Sequence, residues 1–93
     1  MQVIISPKAQ QQLQQLCEYL ETEWSPSVRD QFLFKFDTMI NVIAQMPFSF
    51  PASEKKPSIR KCVVTHQTIV FYRILKDRVQ ITTIKDSRQK RRF

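Results

Sequence analysis

The sequence predicts an α+β domain in the order β-α-α-β-β-β, a helical hairpin packed on one face of a mainly antiparallel sheet. Three observations predict it. A Ser-Pro pair occurs at Ser6-Pro7 and again at Ser25-Pro26, each time ahead of a run with helical apolar spacing. Three β-rich runs follow, joined by links of two or three residues, which demand antiparallel hairpins. The chain has 93 residues, enough for one modest core, so residues 1–93 read as a single domain.

Each element has its own warrant. Gln2–Ser6 (QVIIS) is a short strand rich in β-branched residues. Ser6 can cap a helix with its hydroxyl, and Pro7 suits the first helical position, where its missing N–H costs nothing. Ala9, Leu13, Leu16, Cys17 and Leu20 then form one apolar stripe, with glutamines on the wet face, and this helix should end near Trp24. A second helix runs from about Ser27 to Met46 on the stripe Phe32, Phe36, Met39, Ile40 and Ile43. Leu33, Phe34 and Val42 add apolar surface, so this helix should bury more of its circumference than the first. Residues 47–58 (PFSFPASEKKPS) have no helical or strand period and read as an irregular loop pinned by Phe48 and Phe50.

Ile59–Thr65, Thr68–Leu75 and Val79–Lys85 read as a meander turning at His66-Gln67 and at Lys76-Asp77-Arg78. The chain has no glycine, so Asp77 is the residue expected to take a positive φ. Alternation puts Arg60 and Cys62 on one face and Lys61 and Val63 on the other. Val70, Tyr72 and Ile74 likewise oppose Ile69, Phe71 and Arg73, and phase alone leaves open which set meets the helices. The continuous run IVFYRI suggests cover on both sides for much of that strand. Asp86–Phe93 (DSRQKRRF) is too charged to join a core, and 87–93 reads as a basic C-terminal tail.

Composition excludes several classes. No apolar run approaches the ~20 residues needed to span a bilayer, so no membrane role is expected. The N-terminus lacks the basic and apolar regions of a signal peptide, which makes the cytoplasm the expected location. Cys17 and Cys62 read as free thiols, with Cys17 a small hydrophobe on the helical stripe. Two cysteines and one histidine make no metal-ligand spacing, and no cofactor motif is present.

Charge is placed unevenly. Residues 1–53 carry three basic against five acidic side chains, net −2, and residues 54–93 carry twelve against three, net +9. Such a field favours an anionic partner. Arginines beside an aromatic on an open sheet face suit RNA, since guanidinium groups hold phosphates and rings stack bases. Cleavage would further require a proton acceptor and a proton donor. Arg60, Arg73 and Arg88 are the candidate cations, and His66, Tyr72, Asp86 and Glu54 the candidate proton movers; none makes a diagnostic spacing. His66 in its turn reads first as a solvated histidine, and Tyr72 in a strand centre reads first as packing.

SIRKCVV, IVFYRI and VQITTIKDSRQ, following a helical hairpin in this order and spacing, make the chain resemble the RelE/ParE superfamily of bacterial type II toxins over nearly its whole length. The resemblance implies a compact toxin silenced by a cognate antitoxin, whose C-terminal segment would be acidic and fold along the basic half. RelE-like members are mRNA interferases acting in the ribosome; ParE-like members poison DNA gyrase and need no nuclease site. Arg60 and Arg88 match basic positions of the RelE-like nucleases, and a nuclease reading would take its proton mover from Tyr72 or His66. Phe93, however, has no hydroxyl where some nuclease members have a terminal tyrosine, and the Asp86-Ser87-Arg88-Gln89 close is more typical of the ParE side. The nearer expectation is therefore a non-enzymatic gyrase inhibitor whose target-binding residues are Arg60, Arg73, Lys85, Arg88, Lys90, Arg91 and Arg92. A ribosome-dependent endoribonuclease and a non-toxic basic binding module are the alternatives.

Overall fold

The computed structural model describes residues 1–89. The expectations for Lys90, Arg91, Arg92 and Phe93 lie outside the described residues. Strand β1 (Gln2–Ile5) leads into helix α1 (Pro7–Glu23), and α2 (Pro26–Gln45) follows after a two-residue break. Strands β2 (Arg60–Val63), β3 (Thr68–Ile74) and β4 (Arg78–Asp86) complete the order, and Ser87–Gln89 form a 3₁₀ turn. The sheet runs β1-β4-β3-β2, with β1 parallel to β4 and the other pairs antiparallel. This is the expected α+β architecture on a four-stranded mixed sheet.

Both Ser-Pro signals act as read. Ser6 is extended at φ −63°, ψ 157°, and its Oγ accepts from the Ala9 N–H at 3.1 Å. Ser25 repeats this, its Oγ accepting from the Val28 N–H at 3.1 Å. Each hydroxyl satisfies one of the donors that a helix start leaves unpaired. Ser25→Ala should therefore lower stability by about 1 kcal/mol. Urea unfolding tests this through a lower midpoint with an unchanged slope, since a lost cap leaves the surface exposed on unfolding the same.

The core lies between the hairpin and one sheet face. Leu16 and Leu20 of α1 and Phe32, Phe36 and Ile43 of α2 meet Cys62, Val70, Tyr72, Val79, Ile81 and Ile84 of the sheet. Full burial of each large apolar side chain contributes about 1.5–3 kcal/mol, so this layer contact holds the fold. Of the residues expected to widen the buried face of α2, Leu33 and Val42 are half-buried, but Phe34 is 74% exposed, because it falls on the side of the helix opposite the sheet. On the helix-facing side of β3, Thr68, Val70 and Tyr72 are buried; Ile69 and Phe71 on the other side are half-buried and Arg73 is exposed.

The turns also differ from the sequence expectation. No described residue has a positive φ, so Asp77 does not take that role. The β2–β3 link is four residues, Val64–Gln67, and the Thr65 hydroxyl accepts from both the Gln67 and Thr68 N–H groups at 3.1 Å. A side-chain acceptor closes this turn, which removes the need for a left-handed residue. Strand β4 runs one residue further than read, because Asp86 pairs with Thr68. Asp86 is consequently buried and belongs to the body of the domain, correcting its assignment to a solvated tail. Among the described residues no helix is long and apolar enough to cross a membrane.

Candidate functional site

Cross-strand register assigns the open face of the sheet. Lys61, Phe71 and Thr83 lie side by side across β2, β3 and β4, Arg73 lies beside Gln80, and Ile69 lies between Val63 and Lys85. Partners directly opposite one another share a face, and this face is the one the helices leave uncovered. A groove of about 730 Å³ opens on it. Its cations are Lys8, Lys55, Lys56, Lys61, Arg73 and Lys85, and its floor includes Phe71, Ile59 and Thr83. Glu54 is the one carboxylate among the described lining residues.

Three separate stretches supply these groups. Ser53–Lys56 come from the loop that closes on β2, where the Ser53 N–H donates to Ile59 O at 2.6 Å and the Lys61 N–H donates to Pro51 O at 3.0 Å. Ser6 and Lys8 come from the start of α1, held to β4 by the Ser6 N–H donating to Ile81 O at 3.0 Å. The strands supply the rest. The Arg73 Nε–H donates to Gln80 Oε1 at 2.9 Å, which holds the guanidinium along the sheet. The Lys85 ammonium lies 5.7 Å from the centroid of the Phe71 ring, within cation–π range.

Of the residues expected to bind a target, Arg73 and Lys85 meet in this groove, whereas Arg60 and Arg88 lie elsewhere. Arg60 pairs with Tyr72, which turns it toward the helix side. Its Nη1–H donates to Phe50 O at 2.7 Å and to Phe48 O at 3.2 Å, and its guanidinium lies 5.3 Å from the Phe48 ring centroid. Arg60 thus buttresses the loop, and exposed Phe48 covers it. Tyr72 is fully buried, its hydroxyl donating to Pro47 O at 2.6 Å and its ring meeting Phe50 edge-on. Burial raises the Tyr72 phenol above its ordinary pKa, and the nearby Arg60 charge only partly offsets this. Neither residue presents a free polar group to the groove.

Arg88 belongs to a different cluster at the end of β4. Its Nε–H and Nη2–H donate to Asp86 Oδ1 and Oδ2 at 2.9 and 2.7 Å, a two-point clasp. The Thr68 hydroxyl donates to Asp86 Oδ2 at 2.5 Å, and the Arg88 backbone N–H donates to Oδ1 at 2.9 Å. The Tyr19 hydroxyl of α1 donates to Arg88 O at 3.1 Å. Burial alone would raise the Asp86 carboxyl, but the hydrogen bonds from Arg88 and Thr68 outweigh it and lower its pKa. The same bonds to Asp86 raise the Arg88 guanidinium. His66 is exposed in its turn, away from the groove lining. Cys17 and Cys62 are free, and burial pushes the Cys62 thiol up to about 11, so it stays protonated at neutral pH.

Sequence reasoning left Lys8, Lys55 and Lys56 out of the site and did not single out Lys61. Lys61 had a usable signal, since alternation puts it opposite Arg60 and in phase with Phe71 across the hairpin. Lys8 had none: it sits in the net-acidic half and reaches the groove only because β1 pairs with β4.

A family model described as the ParE toxin of type II toxin-antitoxin system, parDE, matches residues 3–91. No curated protein matches the chain. Among solved structures, a chain of the chromosomal ParDE TA system from P. aeruginosa is similar with a TM-score of 0.78 at 12% identity, covering 92% of this chain and 95% of that one. The YoeB/ParE toxin from Agrobacterium tumefaciens is similar with a TM-score of 0.68 at 12% identity, covering 92% and 98%. At that identity the two likenesses show a shared fold.

Proposed function

The chain belongs to the ParE toxin family of type II toxin–antitoxin systems, and from that membership we propose that it arrests growth by inhibiting DNA gyrase, without cleaving nucleic acid, until a cognate antitoxin masks it. The observation that carries the non-nuclease reading is the engagement of the three residues a nuclease would use. Arg60 holds the loop carbonyls, Arg88 is clasped by Asp86, and the Tyr72 hydroxyl is buried on Pro47 O. Phosphodiester cleavage needs a proton mover beside the cations that steady the developing charge. Among the described lining residues the groove cations have neither a histidine nor a tyrosine beside them, and Glu54 is the one candidate proton mover there, without a second to complete an acid–base pair.

The charge map supports an acidic antitoxin. Residues 54–93 carry a net +9, and a disordered acidic segment would be steered there and order on binding. Purified toxin is expected to inhibit gyrase supercoiling in vitro, and added antitoxin to restore it. Full supercoiling activity at stoichiometric excess of toxin would remove gyrase as the target. New cuts in translated message after induction, mapped by primer extension, would instead favour the RelE-like interferase.

A further inference from the structure

We infer that the groove on the open sheet face binds a short stretch of single-stranded nucleic acid, an interaction separate from gyrase inhibition and independent of it. Two features of different kind coincide there. The first is charge: Lys8, Lys55, Lys56, Lys61, Arg73 and Lys85 surround one concavity against the single carboxylate of Glu54. The second is the half-buried ring of Phe71 in the middle of that charge, with Thr83 beside it in register.

A sequence-tolerant single-strand site needs this pairing. Cations track the phosphates, and an aromatic face takes a base by stacking. An acidic peptide without aromatic side chains would use the cations and leave the Phe71 ring without a stacking partner. The groove volume of about 730 Å³ lies within the ~300–1,000 Å³ of ordinary ligand sites. A duplex fits less well, because its bases are already stacked and cannot meet the ring. Arg73 is suited to a phosphate in particular: its Nε–H is taken by Gln80, which orients the planar group and leaves the terminal nitrogens for a two-point contact. Binding, and no covalent step, is the content of the inference.

Fluorescence anisotropy with labelled ten-residue oligo(dT) and oligo(U), in the absence of gyrase and antitoxin, tests it. Micromolar or tighter binding is expected for at least one strand. Contact with about three phosphates predicts a slope near −2 for log affinity against log salt, since single strands lose ~0.7 per phosphate neutralised. Arg73→Glu and Lys61→Glu, both on strand faces outside the core, should each weaken binding at least tenfold. Glu54→Gln should tighten it several-fold. Phe71→Leu keeps the packing of the strand and should weaken binding about fivefold or more, the loss of one stacked base. A charge-reversal variant that binds as tightly as wild type overturns the inference. So does a poly-glutamate peptide that binds while both oligonucleotides do not, or a duplex that binds more tightly than either single strand. Loss of gyrase inhibition in a variant that still binds oligonucleotide would bear on the toxin reading alone.

Discussion

Asp86→Ala is expected to lower the stability of the domain by about 3–5 kcal/mol, the usual cost of removing one member of a buried ion pair. The carboxylate has no exposed side-chain surface and accepts from Arg88, Thr68 and the Arg88 backbone. Its loss leaves the Thr68 hydroxyl and an Arg88 that keeps only 17% of its side-chain exposure without their acceptor. The remaining access of Arg88 to water sets the effect at the lower end of that range. Even so, a domain of this size has only about 5–15 kcal/mol in total, and 3 kcal/mol corresponds to a fall in Tm of at least ~12 °C. Thermal unfolding followed by circular dichroism measures it directly.

The same carboxylate makes a pH test. Its pKa is lowered in the folded state. Its contribution is therefore complete above the ordinary carboxylate pKa of ~3.9 and is lost as pH falls through the folded value. Wild type and Asp86→Asn should differ most at neutral pH and converge in acid. A stability gap that stays constant from pH 7 to pH 2 would contradict the assignment of the clasp as a charged pair.

Tyr72→Ala is expected to cost about 3–5 kcal/mol, as for other large aromatic truncations in a core. Three losses combine: a fully buried ring, its edge-on contact with Phe50, and the hydroxyl that satisfies Pro47 O. Tyr72→Phe separates them. It keeps the ring and leaves one buried carbonyl unpaired, which costs about 1–3 kcal/mol. At a temperature where Tyr72→Phe is folded, growth arrest should equal that of wild type. A folded Tyr72→Phe that no longer arrests growth would show that the hydroxyl acts on the target, as the interferase alternative requires.

Local signals carried most of the fold. Two serine caps with proline beside them, two apolar stripes and four β-rich runs were enough to order the helices and strands, because each rests on contacts within a few residues. What the sequence did not reveal depends on long-range placement. Phe34 has the same composition as its buried neighbours, and only its angle around α2 leaves it in solvent. Asp86 sits at the head of a charged run, and its burial follows from pairing with Thr68 eighteen residues away. Arg60 and Arg73 were equivalent as residue types. Register separates them, one turned under the Pro47–Phe50 stretch and the other into the groove. The proline-bounded loop was legible as irregular, but the return of its lysines over the sheet depends on backbone bonds that no spacing rule encodes.

The parallel pairing of β1 with β4 has a consequence for how the chain is made. Strand β4 leaves the ribosome after the other three strands, yet it lies second in the sheet, between β1 and β3. Val3 and Ile5 are synthesised before both helices and strands β2 and β3, and wait for Val79 and Ile81. A nascent or truncated polypeptide lacking β4 can form the two helices and the β2–β3 hairpin, but it cannot assemble the sheet that carries Lys8, Arg73 and Lys85 on one surface. The order of translation thus delays the assembled groove until β4 has been made, and a premature stop before β4 yields a fragment without it.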